Sequence, residues 1–338
     1  MTGASGFIAS HLVPALVADG WEVRTCGRRP RPSSLPAEAE YQALDLVESP
    51  LDGLVSGVTA VFHLAGASSS RSSEEEMHRD NVVASERLFE ALRRSGSLER
   101  ALVMSSTSVY GEEKQLPSPV PEDVEPSPSR GYGKAKWEAE QVAWRASSDG
   151  MPVVVVRPVS VHGPGAIKLL ASAILDVAIE RFLGLDRLAL HREPVEQRML
   201  HVDDLVGACL HLMASPEAPG RAFNVSSGQY PTSHEVAGVL ADHFGMTVEL
   251  DDDPDCGPPF EERRRAHSAM VARGMDDSIL LTPERLRFMR KTNRNNRLSL
   301  KALEETGFRP RHTDLRQVVV DDVKWYRQHR WILDHQAN

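Results

Sequence analysis

Tyr132 and Lys136 stand four residues apart in the segment GYGKAKWEAE, so on a helix their side chains share one face. A lysine ammonium beside a tyrosine favours the phenolate and lowers a pKa that is ordinarily about 10. Such a pair can exchange a proton with a substrate near neutral pH, which a solitary tyrosine does poorly. The alternative is a half-buried ring beside a solvated lysine, because this spacing also occurs by chance.

A hydroxyl side chain upstream strengthens the catalytic interpretation. Ser106 lies in VMSSTSVYG, directly after an apolar run with the composition of a buried strand. A serine at the end of such a strand can donate a hydrogen bond to a substrate oxygen. The predicted catalytic set is therefore Ser106, Tyr132 and Lys136, and no metal site is predicted.

The elements that would position these residues alternate between strand-like and helical patterns. Segments such as SERLFEALRRSG have apolar positions at helical spacing. The run VVVV is apolar on both faces, which is typical of a parallel strand covered by helices. This order predicts an α/β fold with a doubly wound parallel sheet. The strand-like runs are WEVRTC, TAVFHLAG, RALVMSS and MPVVVVRP.

The opening MTGASGFIASHL has the glycine spacing of a turn between a strand and a helix. Glycines there let backbone amides approach a pyrophosphate, whose negative charge the helix N-terminus favours. Ala9 replaces a third glycine and is small enough to keep the helix close to the sheet. The pattern predicts dinucleotide binding by Gly3, Ser5, Gly6, Phe7 and Ile8, although glycine turns of this kind are common.

The end of the next strand bears on which dinucleotide is bound. It reads Cys-Gly-Arg-Arg and has no acidic residue to hold the ribose hydroxyls. Arg28 and Arg29 suit a 2′-phosphate, so NADP is predicted, with NAD as the alternative. Both arginines would otherwise be ordinary surface residues. The other predicted cofactor contacts are Asp45 and Leu46 near the adenine, and Leu64, Ala65 and Gly66 at the end of a later strand.

The composition favours an enzyme of the cytoplasm. The 338 residues, 41% of them hydrophobic, suffice for a large domain and a smaller one. A net charge of −9 provides no basic surface for nucleic acid, and neither a membrane span nor a secretory signal is recognisable. Three dispersed cysteines argue against disulfides and zinc, and the acidic turn at 251–259 is interpreted as a solvated loop. We expect a small-molecule substrate, no nucleic acid and no membrane as partners.

The order of the motifs resembles the extended short-chain dehydrogenase/reductase family, the NAD-dependent epimerase/dehydratase group. The resemblance implies that Tyr132 is the general acid/base, that Lys136 tunes its pKa and binds the ribose, and that Ser106 polarises the substrate. It covers nearly the whole chain and rests on TGASGFIASHL, FHLAG, DNVVASERLFEAL, SSTSVYG, PEDVEPSPSRGYGKAK, VVVVRPVSVHGPG, HVDDLVGACLHLM and FNVSSGQ.

The resemblance implies roles for further residues. Asn81 would be structural, and Pro158 and Val161 would lie near the nicotinamide. Asp203 and Asp204 resemble the pair that opens a helix in the family, interpreted as an N-cap and its support. A homodimer is a further expectation of the family.

Two expectations concern the organisation of the chain. The resemblance implies a dinucleotide-binding domain of residues 1–164 and 198–228, and a smaller α/β substrate domain of residues 165–197 and 229–338. The family's first strand ends in Val-Thr-Gly where this sequence begins Met-Thr-Gly. We therefore expect a truncated first strand and a native protein with roughly five to eight further residues, since a GUG valine codon can serve as a bacterial start.

Some positions depart from the patterns of the sugar-nucleotide enzymes in the family. The epimerases commonly place a diphosphate-binding arginine where Gln197 stands. Their arginine-proline-glycine-aspartate segment is replaced here by residues 291–303, in which Arg294 and Arg297 are candidate substitutes. The position that is usually a tyrosine holds His162, which is interpreted as structural.

The expected activity follows from the catalytic set and from one more departure. Thr107 and Ser108 stand where dehydratases have Asp-Glu, so dehydration is not expected. We predict an NAD(P)-dependent oxidoreductase or epimerase that transfers hydride at a secondary alcohol or ketone, with a sugar or sugar nucleotide among the candidate substrates. The predicted preference for NADP favours net reduction over epimerisation, because epimerases usually keep NAD bound and regenerate it each cycle. The alternative is a non-catalytic NAD(P)-binding sensor or scaffold.

Overall fold

The computed structural model describes residues 1–67, 72–111, 116–253, 256–290 and 297–333. The chain is divided into two compact units. The first contains Met1–Val159, Val202–Ser226 and the described part of 296–310; the second contains Ser160–His201 and the described parts of 227–295 and 311–338. Arg294 lies outside the described residues. No helix in these ranges is both long and apolar enough to cross a membrane.

Parallel strands form the centre of the first unit. All strands are numbered in the order in which they occur along the chain. Strand β1 (Arg24–Gly27) pairs with β2 (Glu40–Ala43). A second ladder runs in the order β3 (Ala60–His63), β4 (Arg100–Met104), β5 (Val153–Pro158) and β9 (Ala222–Val225). Thr2 joins the two ladders, because it forms parallel bridges to Cys26 and to His63.

The helices of the first unit follow the predicted periodicity. Helix α4 (Ala84–Ser95) ends at Gly96, whose φ of 66° suits the left-handed position after a helix. All six residues of β5 are buried, as expected of a strand covered on both faces. The predicted α/β fold with a parallel sheet is confirmed. The other helices are α1 (Phe7–Ala18), α2 (Asp52–Val55), α3 (Glu74–His78), α5 (Gly131–Ser148), α7 (Val202–Ala214) and α10 (Lys301–Glu305), with a π-helix at Arg79–Val83 and a 3₁₀-helix at Thr107–Tyr110.

In its described residues, the second unit contains two short parallel pairs of strands and four longer helices. Strand β6 (Ser160–His162) pairs with β8 (Met199–His201), and β7 (Arg187–His191) pairs with β10 (Thr247–Asp251). The helices are α6 (Leu170–Phe182), α8 (Ser233–Phe244), α9 (Phe260–Ala272) and α11 (Leu315–Gln328), with a 3₁₀-helix at Arg287–Met289.

Helix α6 carries two acidic residues into the interior of the second unit. Asp176 accepts a hydrogen bond from Arg263 at 2.7 Å, and Glu180 pairs with Arg285. Burial raises the pKa of Asp176 to about 6, against the opposing effect of Arg263. Each buried charge therefore has an oppositely charged partner, as the desolvation of ions requires.

Candidate active site

Two elements of the first unit bring the predicted catalytic residues together. Strand β4 ends at Met104, and Ser106 follows it as the cap of the 3₁₀-helix, where its Oγ accepts the Ser108 amide at 3.1 Å. Tyr132 lies in the first turn of α5, and Lys136 lies one turn later on the same face. The predicted helical spacing of the pair is therefore present.

The Tyr132 hydroxyl hydrogen-bonds to Ser106. Burial raises the pKa of Tyr132 to about 12, although the hydrogen bond to Ser106 acts in the opposite direction. The predicted lowering of this pKa is therefore not found. Lys136 Nζ lies 6.0 Å from the centre of the ring, and burial outweighs its charge.

Lys136 is itself buried at the base of this cluster. Its Nζ donates to the Met104 carbonyl at 2.9 Å. Burial lowers the pKa of Lys136 from 10.5 to about 8, and the Glu140 carboxylate partly offsets that effect. At neutral pH the lysine is charged and the tyrosine is protonated.

A buried ionic network that was not predicted from the sequence lies beside Lys136. Glu140 lies one turn after Lys136 on α5 and is fully buried. Its carboxylate accepts hydrogen bonds from Arg157 at 2.7 Å and from the Ser105 hydroxyl. Arg157 also donates to the Tyr110 hydroxyl at 3.0 Å. The available signal was Glu140 at helical spacing from Lys136, together with an arginine inside the apolar strand VVVVRP.

The predicted glycine turn lies where the chain enters α1. Gly3 has φ +78°, and a Cβ there would lie 2.8 Å from the Ala65 amide nitrogen. Only glycine allows both this conformation and this approach. The Gly6 amide donates to the Gly3 carbonyl at 3.0 Å, and Phe7 opens the helix. Ser5 and Ile8 lie beside them, so all five predicted residues surround one helix N-terminus.

Gly66, Asn81 and the end of the Lys136 side chain lie close together and are called the cradle below. A Cβ on Gly66 would overlap the Asn81 Oδ1 and would lie 3.3 Å from Lys136 Nζ. Asn81 is buried in the π-helix and donates to the Met77 carbonyl at 2.8 Å. Its Oδ1 has no hydrogen-bond partner among the residues that the structure describes. A bare glycine, an unsatisfied oxygen and an ammonium fit the hydroxyl-rich ribose of a dinucleotide.

Charged groups surround the end of β1, where the predicted Arg28 and Arg29 lie. Arg28 forms a bidentate pair with Asp80, at 3.1 and 2.8 Å. Arg79 bridges Asp80 at 2.8 Å and Asp45 at 3.0 Å. Arg29 is exposed, and no ion pair to it occurs within the described ranges. Arg79 and Asp80 were not predicted from the sequence, because they are far from β1 along the chain.

The remaining predicted residues fall in several places. Leu46 is buried, and Leu64 and Ala65 directly follow β3. Pro158 is the buried last residue of β5 in the first unit, whereas Val161 belongs to β6 in the second unit.

The structure corrects the predicted N-cap of α7 and shows the contact that Gln197 makes. Helix α7 begins at Val202, so Asp203 and Asp204 occupy its first turn and neither is the N-cap residue. Acidic residues in that turn still favour the helix dipole. Gln197 is buried, and its amide donates to the Val195 carbonyl at 3.2 Å.

Comparisons with known proteins identify the family. A model described as "NAD dependent epimerase/dehydratase family" matches residues 1–226. The chain belongs to this family. The family resemblance inferred from the sequence motifs is confirmed. The chain is an enzyme of the NAD-dependent oxidoreductase and epimerase class.

Family members with known names include both reductases and epimerases. GDP-6-deoxy-D-mannose reductase of Pseudomonas aeruginosa is 30% identical over 273 residues, which cover 78% of this chain and 86% of that protein. UDP-glucose 4-epimerase of Mycolicibacterium smegmatis is 28% identical over 280 residues, covering 77% and 85%. The solved structure of MoeE5 in complex with UDP-glucuronic acid and NAD matches with a TM-score of 0.73 and 25% identity, covering 97% of this chain and 98% of that one.

Proposed function

We propose that this family member is an NADP-preferring reductase that converts a ketone into a secondary alcohol. One observation carries the proposal: Tyr132 is hydrogen-bonded to Ser106, lies one helical turn from the buried Lys136, and has a pKa raised to about 12. A tyrosine that is protonated at neutral pH is in the form needed to donate a proton to a carbonyl oxygen. A bound reduced nicotinamide supplies the hydride for such a reaction.

The three side chains have distinct roles in the proposed reaction. The Ser106 and Tyr132 hydroxyls donate hydrogen bonds to the substrate oxygen. As that oxygen gains negative charge, the proton of the Tyr132 hydroxyl moves to it. The Lys136 ammonium then stabilises the phenolate, and its hydrogen bond to the Met104 carbonyl keeps it in place. Solvent reprotonates the tyrosine before the next turnover.

The preference for NADP rests on the end of β1. Arg28 and Arg29 follow Gly27 there, and no acidic residue occupies those positions to bind ribose hydroxyls. A guanidinium binds a phosphate through two parallel hydrogen bonds, which favours a 2′-phosphate at this place. We propose that Gly3, Ser5, Gly6, Phe7 and Ile8 hold the pyrophosphate, that Lys136 and the cradle of Gly66 and Asn81 hold the nicotinamide ribose, and that Asp45, Leu46, Leu64, Ala65, Pro158 and Val161 complete the cofactor contacts.

Epimerisation is the second candidate, because the M. smegmatis relative is named as a UDP-glucose 4-epimerase. An epimerase uses the same proton and hydride transfers twice, in opposite directions, and consumes no cofactor overall. A reductase oxidises one equivalent of NADPH per product. Oxidation of NADPH with ketones, including nucleotide-linked keto sugars, therefore separates the two activities. The P. aeruginosa relative, named as GDP-6-deoxy-D-mannose reductase, motivates including that substrate class.

The substitution Tyr132→Phe tests whether the chain is an enzyme or a non-catalytic dinucleotide sensor. Loss of the proton donor should lower kcat by about 100-fold or more, while the affinity for NADPH changes by less than about threefold. The matched control is Lys134→Gln, an exposed position on the same helix. A protein that binds NADPH but turns over none of the substrates in the panel would favour the sensor.

We also propose a cytoplasmic homodimer. The cysteines Cys26, Cys209 and Cys256 are all free and buried, which is compatible with a reducing compartment. Light scattering on the purified chain tests the assembly, and a monomer at micromolar concentration would refute it. Fractionation of the source cells tests the location.

A further inference from the structure

A cavity of about 290 Å³ lies within the second unit, and the residues that line it all belong to that unit. Three segments form its wall: the end of β7 with the residues that follow, the start of α8, and the 3₁₀-helix at Arg287–Met289 with its flanking residues. Since an apolar cavity of about 150 Å³ holds one benzene molecule, this one has room for about two rings.

Much of the cavity wall is apolar. The side chains of Leu190, Leu286 and Met289 line it, and each of these residues is at most 5% exposed. Pro194 and Val195 add further apolar surface. A methionine side chain adapts its shape to its neighbours, which suits contact with a ring system. The wall therefore favours an apolar ligand, because the removal of apolar surface from water drives binding.

The charged residues of the wall do not make the cavity strongly cationic. Arg285 is buried, and its Nη1 donates to the Ala189 carbonyl at 2.8 Å. Its Nε and Nη2 both donate to the Glu180 carboxylate, which neutralises the charge. The wall also contains one acid, Glu193, and one further arginine, Arg290. Because a diphosphate is bound best by several cationic donors, this wall does not favour one.

Two histidines of the wall offer hydrogen-bonding groups. The Glu193 amide donates to Nδ1 of His191 at 3.3 Å, so the ring proton of His191 is on Nε2. His234 donates from Nε2 to the His191 carbonyl at 2.9 Å, which leaves its Nδ1 as an acceptor in the neutral ring. One donor and one acceptor match the hydroxyl or carbonyl groups of an uncharged molecule.

Asp176 of α6 fixes the part of the wall around Leu286. Its Oδ2 accepts a hydrogen bond from the Leu286 amide at 2.7 Å, and Leu286 has φ 48°, in the left-handed region. Arg263, the ion-pair partner of Asp176, also donates to the Thr282 carbonyl at 3.2 Å. A left-handed leucine persists only where its surroundings hold it, and such residues cluster at ligand sites. The wall is therefore preorganised, which lowers the entropic cost of binding.

We propose that this cavity binds an uncharged, largely apolar system of about two rings that carries a hydroxyl or carbonyl group. The inference rests on the proposed reductase function in one respect, because it assigns such a ring system to the ketone that is reduced. The substrate class is then an apolar, ring-bearing ketone and not a nucleotide-linked sugar.

Calorimetric titration of the full chain with 2-naphthol and with uridine diphosphate, in the absence of dinucleotide, tests the site. The dissociation constant for 2-naphthol should be about 100 µM or lower, and uridine diphosphate should bind at least about tenfold more weakly. Met289→Trp, which fills the cavity, should weaken 2-naphthol binding by about tenfold or more. Leu185→Trp is the matched control with less than about a twofold effect, since Leu185 is 38% exposed in the same unit and does not line the cavity.

A thermal midpoint within about 3 °C of the parent protein shows that a wall variant is folded. Val195→Phe, at another position of the wall, repeats the test if Met289→Trp does not fold. Equal 2-naphthol affinity in the parent and in a folded wall variant would overturn the proposal. Tighter binding of uridine diphosphate than of 2-naphthol, weakened by Arg290→Gln, would also overturn it, because the cavity would then be a phosphate site.

Kinetics with NADPH separate this inference from the proposed function. The value of kcat/KM for 6-acetyl-2-naphthol should exceed that for a uridine-diphosphate-linked keto sugar by about tenfold or more. Met289→Trp should remove this advantage and leave the affinity for NADPH unchanged. Reduction of the keto sugar alone would overturn the assigned substrate class. If no ketone is reduced but 2-naphthol binds as expected, the proposed function fails and the cavity remains a ring-binding site.

Discussion

The guanidinium of Arg28 holds both carboxylate oxygens of Asp80, with nitrogen–oxygen distances of 3.1 and 2.8 Å. Arg79 donates to the same carboxylate at 2.8 Å. Asp80 thus occupies the guanidinium that the proposed function assigns to the 2′-phosphate. The Arg28 side chain is 59% exposed, so a phosphate can reach its guanidinium from solvent.

The substitution Asp80→Asn should strengthen NADPH binding. It removes a negative charge that repels the phosphate, and the amide oxygen still accepts a hydrogen bond from Arg28. We expect the dissociation constant for NADPH to fall by about threefold to tenfold, and that for NADH to change by less than about twofold. Titration of cofactor fluorescence at low ionic strength measures both constants.

The opposite substitution serves as the control for this charge effect. Arg28→Gln should weaken NADPH binding by about tenfold or more and leave NADH binding nearly unchanged. Weaker NADPH binding in Asp80→Asn would contradict the prediction and would mean that Asp80 positions Arg28 for the phosphate.

The activity should fall as the pH rises through about 8, because that is the pKa to which burial lowers Lys136. Above this pH the side chain loses the charge that stabilises the Tyr132 phenolate. The unfolded chain keeps the proton up to about 10.5, so this group's contribution to stability rises between about 8 and 10.5. The loss of activity therefore does not arise from Lys136 destabilising the fold.

Initial rates at saturating substrate and cofactor, measured from about pH 6 to about pH 10, test this dependence. Thermal midpoints over the same range separate titration from unfolding. Lys134→Gln should leave the profile unchanged, since Lys134 is exposed on the same helix. A rate that stays constant through pH 9 would show that the charge of Lys136 is not required.

Glu140→Gln should destabilise the protein strongly. Arg157 is 3% exposed, and the substitution would leave its charge buried without a counter-charge. We expect a loss of about 3–5 kcal/mol in the free energy of unfolding. Glu138→Gln, at a partly exposed position on the same helix, should cost less than about 1 kcal/mol. Urea unfolding measures both, and equal losses for the two variants would contradict a special role of the buried network.

Gly66→Ala should damage the cradle beside Lys136. The new Cβ would overlap the Asn81 Oδ1 and lie 3.3 Å from Lys136 Nζ. Overpacking of this kind costs about 1–3 kcal/mol, and we expect NADPH affinity to fall with it. Gly53→Ala in α2 is the control, because a Cβ there meets nothing within 4 Å and should be neutral or slightly stabilising. Unaltered NADPH affinity in Gly66→Ala would exclude the cradle from the cofactor site.

Local patterns predicted much of the fold. The apolar run of β5 and the spacing of Tyr132 and Lys136 are short-range features, because strand burial and helix geometry repeat within a few residues. The glycine turn was predictable for the same reason, since the φ of Gly3 is a property of its own backbone. A family resemblance added the roles of residues that no periodicity distinguishes.

Contacts between distant segments were not predictable from such patterns. Asp80 lies 52 positions along the chain from its partner Arg28, and Arg79 lies 34 positions from Asp45. The π-helix that contains Arg79 and Asp80 has no clear sequence signal. The pKa of Tyr132 is raised and not lowered as predicted, because burial depends on all the segments that surround the ring. Lys136 lies on the same helix face as Tyr132, but its Nζ is 6.0 Å from the centre of the ring, and its charge does not outweigh the effect of burial.

The sequence by itself determined the α/β order, the family, and the identity of Ser106, Tyr132 and Lys136 as candidates for proton transfer. These depend on residue types and spacings along one strand or one helix. Only the tertiary structure decided that burial raises the pKa of Tyr132 to about 12, that Asp80 pairs with Arg28, and that Glu140 and Arg157 form a buried ion pair. Desolvation and ion pairing act through space, so they arise only when distant segments have been packed together.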